Sequence, residues 1–344
     1  MLAITAGPAA LAQSPGEPGQ LPPADARTQP PDHHAELAEH FPGPLRAYVS
    51  QHFVVLHDAA PEQAKVRVAL LETTRRAFHA SFERLGLELK PPDRRLVALL
   101  FTDRDSYGRY ARQVDGTDMT WTTGYYSGRT NRTVLVDERL ALPPDPEAPA
   151  ADPDLARHAE QAEQIVLGSL DPSAFDGPWR GLASTTHEAA HQLAYNTGVQ
   201  KRGVMYPLWV SEGLATTFET ENPSQPFGPG QINVRRQRDL FLALDEDRLL
   251  PLHRFVVGVR IHTDRPRLAS ALYAQAWSLF HFLYLERPEQ LAGYLATAAE
   301  LRPGRRPEPQ RRQEFIDAFG PLEEVERDWL AHVQAQRDAA DDVK

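Results

Sequence analysis

His187-Glu188-Ala189-Ala190-His191 constrains this chain more than any other stretch, because its chemistry works only on a helix. At about 3.6 residues per turn the two histidines stand one turn apart on one face, where both imidazoles can reach a single metal ion. Glu188 follows the first histidine directly, so it projects about 100° round the helix, too far to join the metal but close to its water. The surroundings support that helix: Pro178 can open it, Trp179, Leu182, Thr186, Leu193 and Ala194 keep a helical spacing, and Asn196 with Gly198 can end it. Both residues between Glu188 and His191 are alanine, which leaves room around the ion.

A third ligand stands in Trp209-Val210-Ser211-Glu212-Gly213-Leu214-Ala215, on a second short helix expected from Pro207 to about Glu221. Zinc accepts imidazole nitrogen and carboxylate oxygen at about 2.0–2.2 Å, and a catalytic site supplies three protein ligands and leaves the fourth position to water. His187, His191 and Glu212 form such a set for one Zn²⁺ per chain, with Glu188 as general base. With 13 histidines in 344 residues the bare five-residue pattern can arise by chance, and the helical context and Glu212 argue against that. His57, His79, His253 and His262 lack metal spacing and read as surface or core residues, and His281 reads as structural.

Thr186 to Leu193, Trp209 to Ala215 and Glu219 together resemble the gluzincin clan of zinc metallopeptidases. Within it they are most similar to a family of secreted bacterial proteins of uncharacterised function grouped as peptidase MA-like. Weaker likeness extends upstream to Gly124-Tyr125-Tyr126-Ser127 and Asn131-Arg132-Thr133-Val134-Leu135, and downstream to Leu272-Tyr273-Ala274-Gln275-Ala276-Trp277-Ser278-Leu279, covering about residues 50–300. The zinc motifs are specific to the clan, whereas the flanking stretches carry no substrate information.

The resemblance implies roles for three further features. Glu219, seven positions after Glu212, would accept the second ring proton of a ligand histidine; spacing alone fits a solvated helix charge equally well. Tyr273, 61 positions after Glu212, would donate to the developing oxyanion as the clan's tyrosine does; it also shares a helical face with Trp277, Phe280 and Tyr284, as a core residue would. Trp121–Ser127 and Thr133–Val136, joined by five residues, read as a hairpin that is either purely structural or, as in the clan, an edge that holds an extended peptide. Tyr125 and Tyr126 point to opposite faces, so one of them is expected to face the cleft. The sequon Asn131-Arg132-Thr133 reads as coincidence.

Composition bounds the partners. Hydrophobic residues at 41% and charged ones at 24% are ordinary for a globular protein. A net charge of −10 with no dense basic tract argues against nucleic acid, and no apolar run is long enough to span a membrane. Absence of cysteine fits an exported bacterial protein and a cytosolic one alike. Ala10-Leu11-Ala12 resembles a signal-peptidase site without a basic region before it, so we expect an eroded or truncated secretory signal over residues 1–12, cut after Ala12, and a secreted or periplasmic location.

The expected organisation follows. A disordered Pro-rich leader runs over 13–44, and an N-terminal α/β part with the edge hairpin over 45–137. An insertion and connection take 138–177, the zinc-binding helices 178–222, a helical lobe 223–337 and a tail 338–344. The N-terminal part should hold strands at His52–Leu56 and Leu96–Phe101, a helix from Pro61 stopped by Gly86, and a short helix capped by Asp103. The lobe should carry helices near 232–248, 267–287, 289–300, 309–319 and 322–337. The fold class is therefore α+β, a small mixed sheet with helices followed by a helical lobe, with the zinc site in the cleft between. The function expected is zinc-dependent hydrolysis of peptide bonds in a polypeptide substrate. The alternatives are a non-catalytic zinc-containing protein that binds a cell-envelope partner, and a zinc hydrolase of a non-peptide amide.

Overall fold

A computed structural model describes residues 34–137, 155–166, 183–261 and 266–341. Three strands of five or six residues, rich in apolar side chains, pair with two four-residue edge strands into a mixed sheet. They are β1 (Arg46–Val49), β2 (Phe53–His57), β3 (Leu96–Phe101), β4 (Gly124–Ser127) and β5 (Arg132–Val136). Their order is β1-β2-β3-β5-β4, with β2, β3 and β5 parallel and both edge strands antiparallel to their neighbours.

Side chains of a strand alternate between faces, and here the alternation separates two cores. Phe53, Val55, Leu96, Ala98, Leu100 and Leu135 face a large core shared with the helices α2 (Pro61–Arg84) and α5 (Ala183–Thr197). Val54, Leu56, Leu99, Phe101, Val134 and Val136 face a smaller one with α1 (His34–Ala38) and α3 (Arg104–Tyr110). α3 starts as its sequence requires, with the Asp103 carboxylate accepting from the main-chain N–H of Asp105 and Ser106, and it runs into a π turn over Ala111–Asp115. Gly86, at φ +77°, lies just past α2 in the left-handed region that stops a helix.

Beyond the sheet the chain is helical: α6 (Leu208–Thr217), α7 (Val234–Asp245), α8 (Leu252–Phe255), α9 (Pro266–Glu286), α10 (Pro288–Ala299), α11 (Glu308–Phe319) and α12 (Leu322–Asp341). This is the expected α+β class, with the sheet first and the helices after it. α9 is buried for most of its length, and α6 crosses it at Gly213. A Cβ added at Gly213 would stand 2.6 Å from the Ala276 carbonyl oxygen and 3.0 Å from the Phe280 Cβ, so only glycine permits this approach. Gly213→Ala is expected to cost about 1–3 kcal/mol as the two backbones separate. It should also weaken metal retention, because Glu212 and Tyr273 ride on the separated helices. A melt and a metal titration read both effects, and unchanged values would mean the helices yield freely.

The described residues depart from the expected organisation in three places. Residues 34–44, assigned to the disordered leader, are folded in part: Leu37 and Phe41 are buried in the smaller core, and the Phe41 ring stacks on Phe101 at 4.2 Å. Within the expected insertion and connection, α4 (Leu155–Val166) is a helix that packs Ala162 and Ile165 against Ala69 and Leu70 of α2. The hairpin strand starts at Gly124 rather than Trp121, which is 58% exposed in the preceding turn. The signal segment with its cut after Ala12, the leader as far as residue 33, Pro178, His262 and residues 342–344 lie outside the described residues. No helix among the described residues is long and apolar enough to cross a membrane.

Candidate metal centre

α5 brings its two histidines together as the helical spacing requires, with Nε2 of His187 and Nε2 of His191 3.2 Å apart. α6 places the Glu212 Oε2 atom 3.3 Å from the first and 3.6 Å from the second. Three donors that share a tetrahedral zinc at about 2.0–2.1 Å stand about 3.3 Å from one another. This triangle therefore fits such an ion without rearrangement. Glu188 completes the surroundings: donor atoms of His187, Glu188 and His191 lie within 4.8 Å of one another, a group among the described residues that can hold a metal ion.

The charges in the site call for a cation. Burial works to lower the His187 pKa, but hydrogen bonds with Glu212 and Glu219 outweigh it and raise it to about 10. Burial would raise Glu212, yet the neighbouring His191 and His187 hold its carboxyl well below the usual range. Glu188 goes the other way, pushed up by burial against the opposing pull of the two imidazoles.

Glu219, on the turn that follows α6, bonds the outer nitrogen of a ligand-set histidine, with its Oε1 2.9 Å from His187 Nδ1. That contact fixes the ring's orientation and leaves Nε2 free to face the triangle. Glu219 is in turn clamped by Arg236 of α7, whose Nε and Nη2 donate at 2.7 and 2.6 Å. The Arg236 guanidinium also lies 5.0 Å from the centre of the Tyr273 ring. Removing one partner of a buried pair costs about 3–5 kcal/mol, so this bridge holds its geometry firmly. Neither Arg236 nor Asn233, which caps α7 and donates to the Glu219 main-chain oxygen at 3.4 Å, was anticipated. They lie 17 and 14 residues beyond Glu219 across an irregular loop, with no periodic signal to connect them.

Gln192 ties α5 to the sheet. Its Nε2 donates to the main-chain oxygens of Val97 and Asn131 at 3.0 and 3.1 Å, and its Oε1 accepts from Thr133 at 3.1 Å. Thr133 is fully buried, and Asn131 exchanges amide hydrogen bonds with Asn196, so the sequon residues serve this junction.

The triangle opens into a cleft of about 390 Å³, lined on one side by β4 and the turn before it and on the other by α6 and Tyr273. β4 passes close over the general-base candidate. A Cβ at Gly124 would stand 3.3 Å from Glu188 Cγ, and the Tyr126 main-chain N–H hydrogen-bonds the Glu188 carboxylate. Both Tyr125 and Tyr126 line the cleft, where one was expected, because an edge strand exposes its main chain as well as its rings. Their rings do part as the pleat demands. Tyr126 stacks on Tyr195 of α5 at 5.5 Å, while the Tyr125 hydroxyl donates to Asp115 in the other layer. Tyr273, two turns into α9, lines the cleft with its ring 6.2 Å from that of His187, whereas Trp277 and Phe280 are fully buried. His281 is structural, bonded through Nδ1 to the Pro229 oxygen at 2.7 Å and stacked on Trp277.

No curated protein matches the chain. Residues 181–304, the span that carries His187, Glu188, His191, Glu212, Glu219, Arg236 and Tyr273, match a family described as a protein of unknown function (DUF1570).

Proposed function

We propose that the protein is a zinc-dependent peptidase of the gluzincin type, exported from a bacterial cell. The observation that carries this reading is the triangle of His187, His191 and Glu212 with Glu188 and an open sheet edge beside it. A purely structural site needs no second carboxylate held at its mouth. A zinc ion in that triangle supplies Lewis acidity, polarising a carbonyl oxygen and lowering the pKa of a water towards about 7.

The chain's own groups do the rest. An extended peptide lies along β4, whose Tyr126 amide already points into the cleft. Glu188 takes the proton of the attacking water and passes it to the leaving amine. Tyr273, which lines the cleft, donates to the oxygen on which negative charge develops. Glu219 and Arg236 keep His187 turned towards the ligand set.

Purified protein is expected to carry about one zinc per chain. Dialysis against a weak chelator should leave that content intact in the wild type and strip it from His187→Ala and Glu212→Ala. Full zinc in His187→Ala would overturn the ligand assignment. Digestion of a denatured peptide mixture tests the activity itself.

A further inference from the structure

Arg202 stands where α5 ends and the chain turns towards α6, with its side chain exposed on the cleft wall. Its Nη2 donates to Asn196 Oδ1 at 2.6 Å and its Nε to the Tyr126 hydroxyl at 3.3 Å, so the guanidinium is anchored to the end of α5 and to β4. These bonds use two of the five N–H donors that a guanidinium offers. Among the described residues no carboxylate pairs with it, and it is the one arginine or lysine lining a cleft whose other charged side chains include Glu188 and Glu212. An anchored, solvent-facing guanidinium with donors to spare matches the planar fork of a carboxylate.

We infer that the cleft selects peptides carrying a carboxylate about two residues from the cleaved bond, and that Arg202 receives it. The spacing follows from α5. Asn196, the anchor of Arg202, lies five positions beyond His191, about 7.5 Å along the helix axis, which is the advance of about two residues at about 3.3 Å each for an extended peptide running alongside α5. The stacked rings of Tyr126 and Tyr195 form the wall between the two points. The inference rests on the peptidase reading, and its ligand chemistry has two sources, an acidic side chain or a free carboxyl terminus.

The test uses the full chain with Glu188→Gln and zinc bound, so that binding is read without turnover. Fluorescent hexapeptides are titrated by anisotropy in matched pairs: glutamate against glutamine two residues to either side of the central bond, and free acid against amide at the carboxyl end. One acid-bearing peptide is expected to bind about tenfold tighter than its neutral partner, with the preference shrinking at high salt. Adding Arg202→Gln should bring the ratio to near one, and Arg202→Lys, a point charge without the fork, should restore part of it. A ratio that survives Arg202→Gln, no preference in either protein, or no binding by any peptide overturns the inference. An Arg202-dependent ratio in a protein that cleaves no peptide upholds the acid-selective cleft and sinks the peptidase reading instead.

Discussion

Glu188→Gln is expected to abolish at least about 99% of turnover while leaving zinc content and folding intact. Glutamine keeps the length of the side chain and an oxygen that accepts the Tyr126 amide, so β4 stays in place. What it loses is the proton acceptor, and a positioned general base contributes about 10²–10⁴ in rate. The triangle of His187, His191 and Glu212 does not include Glu188, which is why zinc should remain. Burial and the nearby Glu212 charge both disfavour the ionised carboxylate, so a neutral amide there should not lower the melting temperature. The measurements are peptide digestion, metal analysis and a melt on matched preparations. Equal rates in variant and wild type would sink the hydrolytic mechanism. No rate in either would favour the alternative in which the metal fold binds an envelope partner without turnover.

The features legible in the sequence were those written in local periodicity. β3, α2, α5, α6, α7 and α9 to α12 follow from apolar spacing with caps and stops within a few residues, whereas the four-residue α8 was not expected. The candidate ligand set followed from a one-turn spacing plus a carboxylate on the next helix, and the structure brings those three side chains together. α1 was not legible because the helix has five residues and its buried anchors, Leu37 within it and Phe41 three residues past its end, pack against a core that includes Phe101, sixty positions beyond Phe41. α4 was masked by composition: its His158, Ala162 and Ile165 repeat at helical spacing and are buried, but they follow a stretch rich in proline and aspartate. The clamp on Glu219 belongs to a third kind. Arg236 meets it only because α7 folds back under α9, and a buried ion pair formed by tertiary packing leaves no trace in a linear pattern. Gly213 and Gly124 were present in the quoted motifs, but the close approaches that require them depend on where α9 and Glu188 lie.

Tyr273→Phe is expected to lower kcat by about ten- to a thousandfold with little change in KM, because a lost oxyanion donor acts on the transition state alone. The residue's setting supports the donor role. Burial, reinforced by the charges of Glu212 and Glu188, pushes its pKa well above the ordinary tyrosine value, so the hydroxyl keeps its proton in neutral and alkaline solution. Arg236 lies over the ring at 5.0 Å and His187 flanks it edge-on, contacts that hold the ring and leave the hydroxyl unused. Phenylalanine preserves the ring, its packing on α9 and most of the attraction to Arg236, so the melting temperature should hold. A core role makes the opposite forecast: kcat unchanged and, at most, a small loss of stability. Each tenfold fall in kcat corresponds to about 1.4 kcal/mol at the transition state, well separated from the few tenths expected of a bystander hydroxyl. Steady-state kinetics beside a melt therefore decide the role, and an unaltered kcat would return Tyr273 to the buried face that it shares with Trp277 and Phe280.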